Sequence, residues 1–184
     1  MKPKVLVGVS GGVAAYKAAD VVSQLVKAGC DVRVVMTESA TKFVGPATFA
    51  ALTQEKVLTS MFPESNSGGM DIIYPHLYPA TEADAFLVIP ATANTISKIA
   101  HGLGDDLVSC SALSLKSDCK RIFCPAMNFQ MWGNPVVQDN VKKLLHYGWH
   151  QVGPEKGRMA CGTSGYGRLS AQTVITQIVL NSVF

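Results

Sequence analysis

Four stretches of the 184-residue sequence combine chemically capable residue types with a spacing that would bring them to a surface. The first, Gly8-Val9-Ser10-Gly11-Gly12, follows a β-branched run and precedes a segment of helical spacing, so it forms a strand-to-helix turn. Glycines there let a ligand approach the backbone, and amides at a helix start attract anions, so a phosphate is the natural occupant. The pattern is neither GxGxxG nor GxxxxGKS/T, and a tight turn without a ligand is the competing reading. Thr37-Glu38-Ser39 leaves the next strand of the same unit. Two hydroxyl-bearing loops at adjacent strand ends describe one small phosphate site better than two unrelated turns.

The second stretch, Pro90-Ala91-Thr92-Ala93-Asn94-Thr95, follows a continuous apolar run, and its Thr and Asn read as helix caps or as ligand contacts. The third, residues 125–132 (PAMNFQMW), also follows an apolar run; Asn128 offers a donor and an acceptor that can orient a carboxylate or an amide. The fourth, residues 153–167 (GPEKGRMACGTSGYG), has five glycines in fifteen residues and reads as an irregular loop of the kind that serves as a lid or binding loop. Cys161 near its middle has no core to join, which favours a functional thiol. His101, His146 and His150 read as structural, as isolated histidines usually are.

These segments need a scaffold, and the hydrophobic pattern supplies one. Lys4 to Val9 is a strand, the following helix ends at Gly29, and Asp31 to Met36 is a second strand, which together make a βαβ unit. Residues 46–52 form a short helix, and residues 63–71, polar and glycine-rich, read as a mobile surface loop. Residues 85–90 and 121–125 are apolar strands ended by proline, and residues 149–152 suit a last short strand. Helical segments cover 93–102, 107–115, 136–145 and 171–183. Apolar strands alternating with helices predict an α/β fold, a doubly wound, Rossmann-like or flavodoxin-like parallel sheet in three layers, with sites at the carboxyl strand ends.

Length predicts one domain, residues 1–184, at roughly 150 residues per domain. Apolar residues make up 48% and charged ones 16%, which excludes a disordered chain or a coiled coil. The formal charge of +3 is scattered, with no basic stripe for nucleic acid or an anionic membrane surface. No apolar run approaches the roughly 20 residues of a membrane span, and the amino terminus enters a strand rather than a signal segment, so a cytoplasmic protein is expected. Five cysteines without a CxxC pair argue against a disulfide framework or a zinc cluster, and the first four read as small buried apolar residues.

The combination of GVSGGVAAYKA, PATANT, PAMNFQMW and ACG within a glycine-rich loop resembles the homo-oligomeric flavin-containing cysteine decarboxylases, from Lys4 to Ile178. The resemblance is strongest to the members acting on phosphopantothenoylcysteine in coenzyme A biosynthesis. It implies FMN as cofactor, with Gly8, Ser10, Gly11 and the Thr37 to Ser39 loop around its phosphate and Phe43 near the ring system. The family's PASANT segment falls on Thr92, Asn94 and Thr95, a serine-to-threonine exchange that keeps the hydroxyl. Ala126, Met127, Asn128 and Met131 fall on the substrate segment, the family's histidine on His76, and the clamp cysteine on Cys161. Pro79 and Glu82 stand where leucine and tryptophan are usual, a departure that bears on the packing behind His76.

The implied reaction oxidises the thiol-bearing carbon to a thioaldehyde, which accepts the electrons released as carbon dioxide leaves; the enethiolate is then reduced, with Cys161 supplying the proton. Asn128 would hold the carboxylate and His76 would act as base or orienter. No metal is required. A trimer or dodecamer is implied, and a separate synthetase would supply the substrate. The alternatives are a peptidyl-cysteine decarboxylase, which typically lacks the clamp cysteine; a flavin prenyltransferase, which lacks PAMN; and a regulatory flavoprotein.

Overall fold

Val5, Val7 and Val9 point to one face of strand β1 (Lys4–Val9), and Leu6 and Gly8 to the other, which commits both faces to burial. The same alternation divides β3 (Ala85–Ala91) into Ala85, Leu87 and Ile89 against Phe86 and Val88, and β4 (Lys120–Pro125) into Ile122 and Cys124 against Phe123. In the computed structural model, which describes residues 2–62, 74–158, 162 and 164–184, these strands join β2 (Asp31–Met36) and β5 (His150–Gln151) in one parallel sheet of order β2-β1-β3-β4-β5.

Helices α1 (Ala15–Lys27), α3 (Pro46–Thr53) and α8 (Gln172–Val183) cover the first face, through Val21, Leu25, Phe49, Ile175 and Val179. Helices α4 (Ala93–His101), α5 (Leu107–Leu113) and α7 (Pro135–His146) cover the second, through Ile96, Ile99, Val108, Val141 and Leu144. Each such side chain contributes about 1.5–3 kcal/mol by leaving water. The expected three-layer doubly wound fold is therefore present. Two four-residue helices follow strand ends, α2 (Glu38–Thr41) after Thr37 and α6 (Phe129–Trp132) after the segment Ala126, Met127 and Asn128.

One expectation is corrected. The stretch 153–167 is not wholly irregular: β6 (Glu155–Arg158) and β7 (Ser164–Arg168) pair as an antiparallel hairpin. Glycine-rich, charged strands carry little β-propensity of their own. The hairpin draws its order from docking: the Met127 amide donates to the Gly167 carbonyl at 3.0 Å, and Gly165 lies against the Phe129 side chain. Arg168 also pairs with Glu155 at 2.7 Å. The segment 63–71 lies outside the described residues, as does Cys161.

Gly8 is a packing residue. A methyl group on it would meet Val108 Cγ1 at 2.9 Å and the Phe86 ring at 3.1 Å. Gly8→Ala should destabilise the protein by about 1–3 kcal/mol, seen as a Tm lowered by several degrees in a thermal melt with unchanged far-UV dichroism. A variant melting with the wild type would refute this close-packing account.

Candidate active site

Strand order reverses between β1 and β3, because the chain runs outward from β1 to β2 and then returns across β1 to build β3, β4 and β5. Ligand sites of open α/β sheets form at the carboxyl edge of such a reversal, where adjacent loops turn in opposite directions. Ser10 knits this point together. Its wholly buried hydroxyl donates to the Pro90 carbonyl at 2.6 Å and accepts from the Thr92 amide at 3.1 Å. Thr92 Oγ1 in turn accepts from the Thr95 amide at 3.3 Å, capping α4, and bonds the Thr95 hydroxyl at 3.1 Å.

A cleft of about 1100 Å³ opens above this junction. It is somewhat larger than ordinary small-ligand pockets of roughly 300–1,000 Å³. Its floor is made of helix starts. Thr37 caps α2 by accepting from the Ala40 amide at 3.2 Å, and Asn128 caps α6 by accepting from the Gln130 amide at 2.8 Å. The start of α1 has neither a side-chain cap nor an acidic residue in its first turn; the Ala15 and Lys17 amides donate to the Gly12 and Ala14 carbonyls at 2.9 and 3.0 Å, and the positive dipole end of the helix is left to an anion beside Gly11 and Gly12.

Gly11, Thr37, Ser39, Thr92, Asn94 and Thr95 line the cleft together. Ala126, Met127, Asn128 and Met131 form another part of the wall. Gly8 and Ser10 do not reach the surface of the cleft; they act beneath it, through packing and through the hydroxyl junction. Phe43, 53% exposed, and His76, packed edge-to-face on Tyr74 at 6.4 Å between ring centroids, are also absent from this chain's cleft wall. Behind His76, Pro79 is buried and Glu82 pairs with Lys4, so both departures from the family pattern are accommodated.

Sequence reading missed the charges of the cleft: Lys17, Lys98, Asp105, Asp106, Arg158 and Arg168. Lys98 lies one turn beyond Asn94 on α4, and its ammonium meets Asp105 and Asp106 at 2.8 Å each. Burial opposes the ammonium, but the two carboxylates outweigh it and hold the Lys98 pKa above the ordinary lysine value. Lys98 in turn holds the Asp105 carboxyl below the usual range. Asp106 also caps α5 through the Ser109 amide at 2.9 Å, so one side chain ties α5 to α4. The available signal was a lysine four residues after Asn94, followed by paired aspartates ahead of an apolar helix.

A doubly wound parallel sheet with a cleft of helix starts at its reversal defines a nucleotide-type α/β protein of flavodoxin-like topology. The chain belongs to the Flavoprotein family, which it matches over residues 1–184. It is 38% identical over 177 residues to a probable phosphopantothenoylcysteine decarboxylase of Streptococcus mutans, covering 96% of this chain and 97% of that protein. It is 39% identical to the coenzyme A biosynthesis bifunctional protein CoaBC of Borreliella burgdorferi, over 96% of this chain but 44% of that protein. The chain thus spans less than half the length of that bifunctional relative. Among solved structures, a cysteine-to-serine variant of PPC decarboxylase complexed with pantothenoylaminoethenethiol superposes with a TM-score of 0.86 at 31% identity, covering 98% of both chains. The FMN binding protein AtHal3 superposes at 0.83, also at 31% identity, covering 98% of this chain and 96% of that one.

The residues fit a flavin mononucleotide. A methyl group on Gly11 would lie 2.4 Å from Ser39 Cβ and 2.9 Å from the Ser39 carbonyl carbon, so the two loops close into a cradle that only glycine permits. The positive end of α1 beside it, free of any side-chain cap, suits one phosphate, and Pro90, Ala126, Met127 and Leu169 give the cleft apolar surface for a ring system. Gly11→Ala should therefore purify with much less flavin than the wild type. Gly12→Ala, whose methyl would meet Thr92 Cγ2 at an ordinary 3.5 Å, should keep it. Absorbance at flavin wavelengths per mole of protein measures both, and equal occupancy in the two variants would refute the cradle.

Proposed function

We propose that this chain is a carboxy-lyase that decarboxylates 4'-phosphopantothenoylcysteine to 4'-phosphopantetheine with bound FMN, residues 1–184 acting as one flavin-binding domain in coenzyme A biosynthesis. The observation that carries the reading is the placement of Asn128: it stands in the wall of the flavin-sized cleft, on a segment pinned by the β6–β7 pair. The near full-length match to a probable phosphopantothenoylcysteine decarboxylase supports it. That match favours it over the peptidyl-cysteine, prenyltransferase and regulatory alternatives.

Bound FMN supplies the two-electron oxidation of the thiol-bearing carbon and its later reversal. Gly11, Thr37 and Ser39 would hold its phosphate, with the positive end of α1, and Asn94 and Thr95 would be among the residues that hold the ring system. Asn128 binds the substrate carboxylate, its orientation set by the bond to the Gln130 amide. A neutral amide suits this task, because the carboxylate loses its charge as carbon dioxide forms, and a cation there would stabilise the ground state over the transition state. His76 takes or orients the thiol proton in the oxidative half. Cys161 delivers a proton to the enethiolate carbon when the product is reduced.

A second copy of the chain is part of this reading. Phe43 and His76 lie outside the cleft wall of their own chain, and Val13 and Tyr16 on its rim are 56% and 61% exposed. A homo-oligomer, a trimer or a dodecamer, would cover this rim and bring a neighbour's His76 to the cleft. A cytoplasmic setting accords with four free thiols at Cys30, Cys110, Cys119 and Cys124. Among the described residues, no helix is long and apolar enough to cross a membrane.

Purified protein should release FMN on denaturation, identified by mass, and should form carbon dioxide from phosphopantothenoylcysteine. Asn128→Asp should keep the flavin colour and lose turnover, because two carboxylates would then face each other in a partly desolvated site. A colourless Asn128→Asp variant would assign the residue to the cofactor instead.

Cys161→Ser should oxidise and decarboxylate the substrate, then stall, because a serine hydroxyl is a far weaker acid than a thiol. Its product, by mass spectrometry, should be the enethiol, two hydrogens lighter than phosphopantetheine. Normal phosphopantetheine at the wild-type rate would remove Cys161 from the acid's role.

A further inference from the structure

Among the described residues the cleft is lined by four cations, and two of them are held by carboxylates. Lys98 is held by Asp105 and Asp106 at 2.8 Å, and Arg168 by Glu155 at 2.7 Å. Lys17 belongs to the start of α1, beside Gly11 and Gly12, with its ammonium 6.0 Å from the centre of the Tyr16 ring. Arg158, like the Lys17 ammonium, has no hydrogen bond or ion pair among the described residues, and it differs from Lys17 in place: it is the exposed last residue of β6, on the hairpin side of the cleft and not at the start of α1.

A guanidinium held on a strand at the mouth of a ligand cleft, with no carboxylate neutralising it, is set to receive an anion from the ligand. Its planar fork of donors matches a phosphate with two parallel charge-assisted bonds, a geometry lysine does not offer. If the proposed function holds, the substrate carries two anions. The carboxylate is consumed as neutral carbon dioxide, and a guanidinium bound to it would raise the barrier to that step. The phosphate ester keeps its charge from substrate to product, so a cation on it strengthens binding throughout without opposing the chemistry. The cofactor's own phosphate has its cradle where Gly11 meets Ser39, with Lys17 on the helix behind it.

We propose that Arg158 is the specificity residue for the phosphorylated end of the substrate: it binds the phosphate ester and makes the site prefer a phosphorylated over an unphosphorylated pantothenoyl-cysteine. The inference rests on the decarboxylase reading above and refines it. Because phosphate binding is uniform along the reaction, Arg158 acts on KM and leaves kcat to Asn128, His76 and Cys161.

The test uses flavin-loaded wild type, Arg158→Gln and Arg158→Lys with phosphopantothenoylcysteine and with pantothenoylcysteine. Arg158→Gln should lower kcat/KM for the phosphorylated substrate by about 10- to 100-fold, through KM, the size of a lost charge-assisted bond. The ratio between the two substrates should collapse towards one, flavin absorbance should persist, and Arg158→Lys should restore part of the preference. Equal losses on both substrates, a loss confined to kcat, or loss of flavin would each overturn the proposal, assigning Arg158 to the fold, the reacting carboxylate or the cofactor phosphate respectively. Calorimetric binding of phosphopantetheine and of pantetheine separates this inference from the reading beneath it. If the wild type turns over neither substrate yet binds phosphopantetheine in an Arg158-dependent way, the decarboxylase reading falls while phosphate recognition stands. If Arg158→Gln binds both compounds like the wild type, the inference falls whatever the enzyme catalyses.

Discussion

A single buried hydroxyl holds the place on which the cleft depends. Where strand order reverses between β1 and β3, the two chain ends diverge to opposite faces of the sheet, and the gap between them needs polar closure. Ser10 provides it by donating to the Pro90 carbonyl at 2.6 Å and accepting from the Thr92 amide at 3.1 Å. A backbone carbonyl and a backbone amide that would otherwise be orphaned near the core are satisfied together. The same contact fixes Thr92, whose hydroxyl caps α4 and thereby sets the directions of Asn94 and Thr95. Gly8 completes the base, since any side chain there would push against Val108 and Phe86.

Above that base, the cleft solves an electrostatic problem. Helix starts at α1, α2, α4 and α6 all present partial positive charge to one volume. Lys17 lines it without an ion pair among the described residues, and further free lysines would make it a general anion trap. Lys98 is instead neutralised in place by Asp105 and Asp106, which also fasten α5 to α4. The positive charge that remains is local: at the start of α1 with Lys17, and again at Arg158 on the hairpin. A cofactor with one phosphate and a substrate with another can occupy the same cleft only if the two attractions are kept apart in this way.

The layers of the fold were legible in the sequence because burial on both faces leaves an unmistakable trace, as in the unbroken apolar run of β3 and the helical spacing of α1. Site segments were legible for a related reason, since strands ended by Pro90 and Pro125 deliver the residues just after them to the carboxyl edge of the sheet. The hairpin was not. Its strands, EKGR and SGYGR, contain no β-branched residue, and their pairing is specified by what they dock on, the Gly167 carbonyl under Met127 and Gly165 against Phe129. The Lys98 cluster was hidden likewise, because a charge on a helix is ordinarily solvated and only tertiary packing brings two aspartates 2.8 Å from it. Phe43 and His76 expose a further limit: a motif can identify a residue without placing it in the cleft wall of its own chain.

The hairpin's odd composition follows from its position. Gly157 and Gly165 lie opposite each other, and Gly165 meets Phe129 so closely that a methyl group there would come within 2.8 Å of the Phe129 side chain. A β-branched strand would stand off from α6 by at least the width of a side chain, carrying Arg158 away from Asn128. Glycine gives up intrinsic strand stability to let the backbone lie directly on the segment that holds the Asn128 amide. The bond from the Met127 amide to the Gly167 carbonyl then makes Asn128 and the hairpin one mechanical unit. Asn128 and Arg158 thus share one geometry, set by a strand pair too poor in side chains to stand alone.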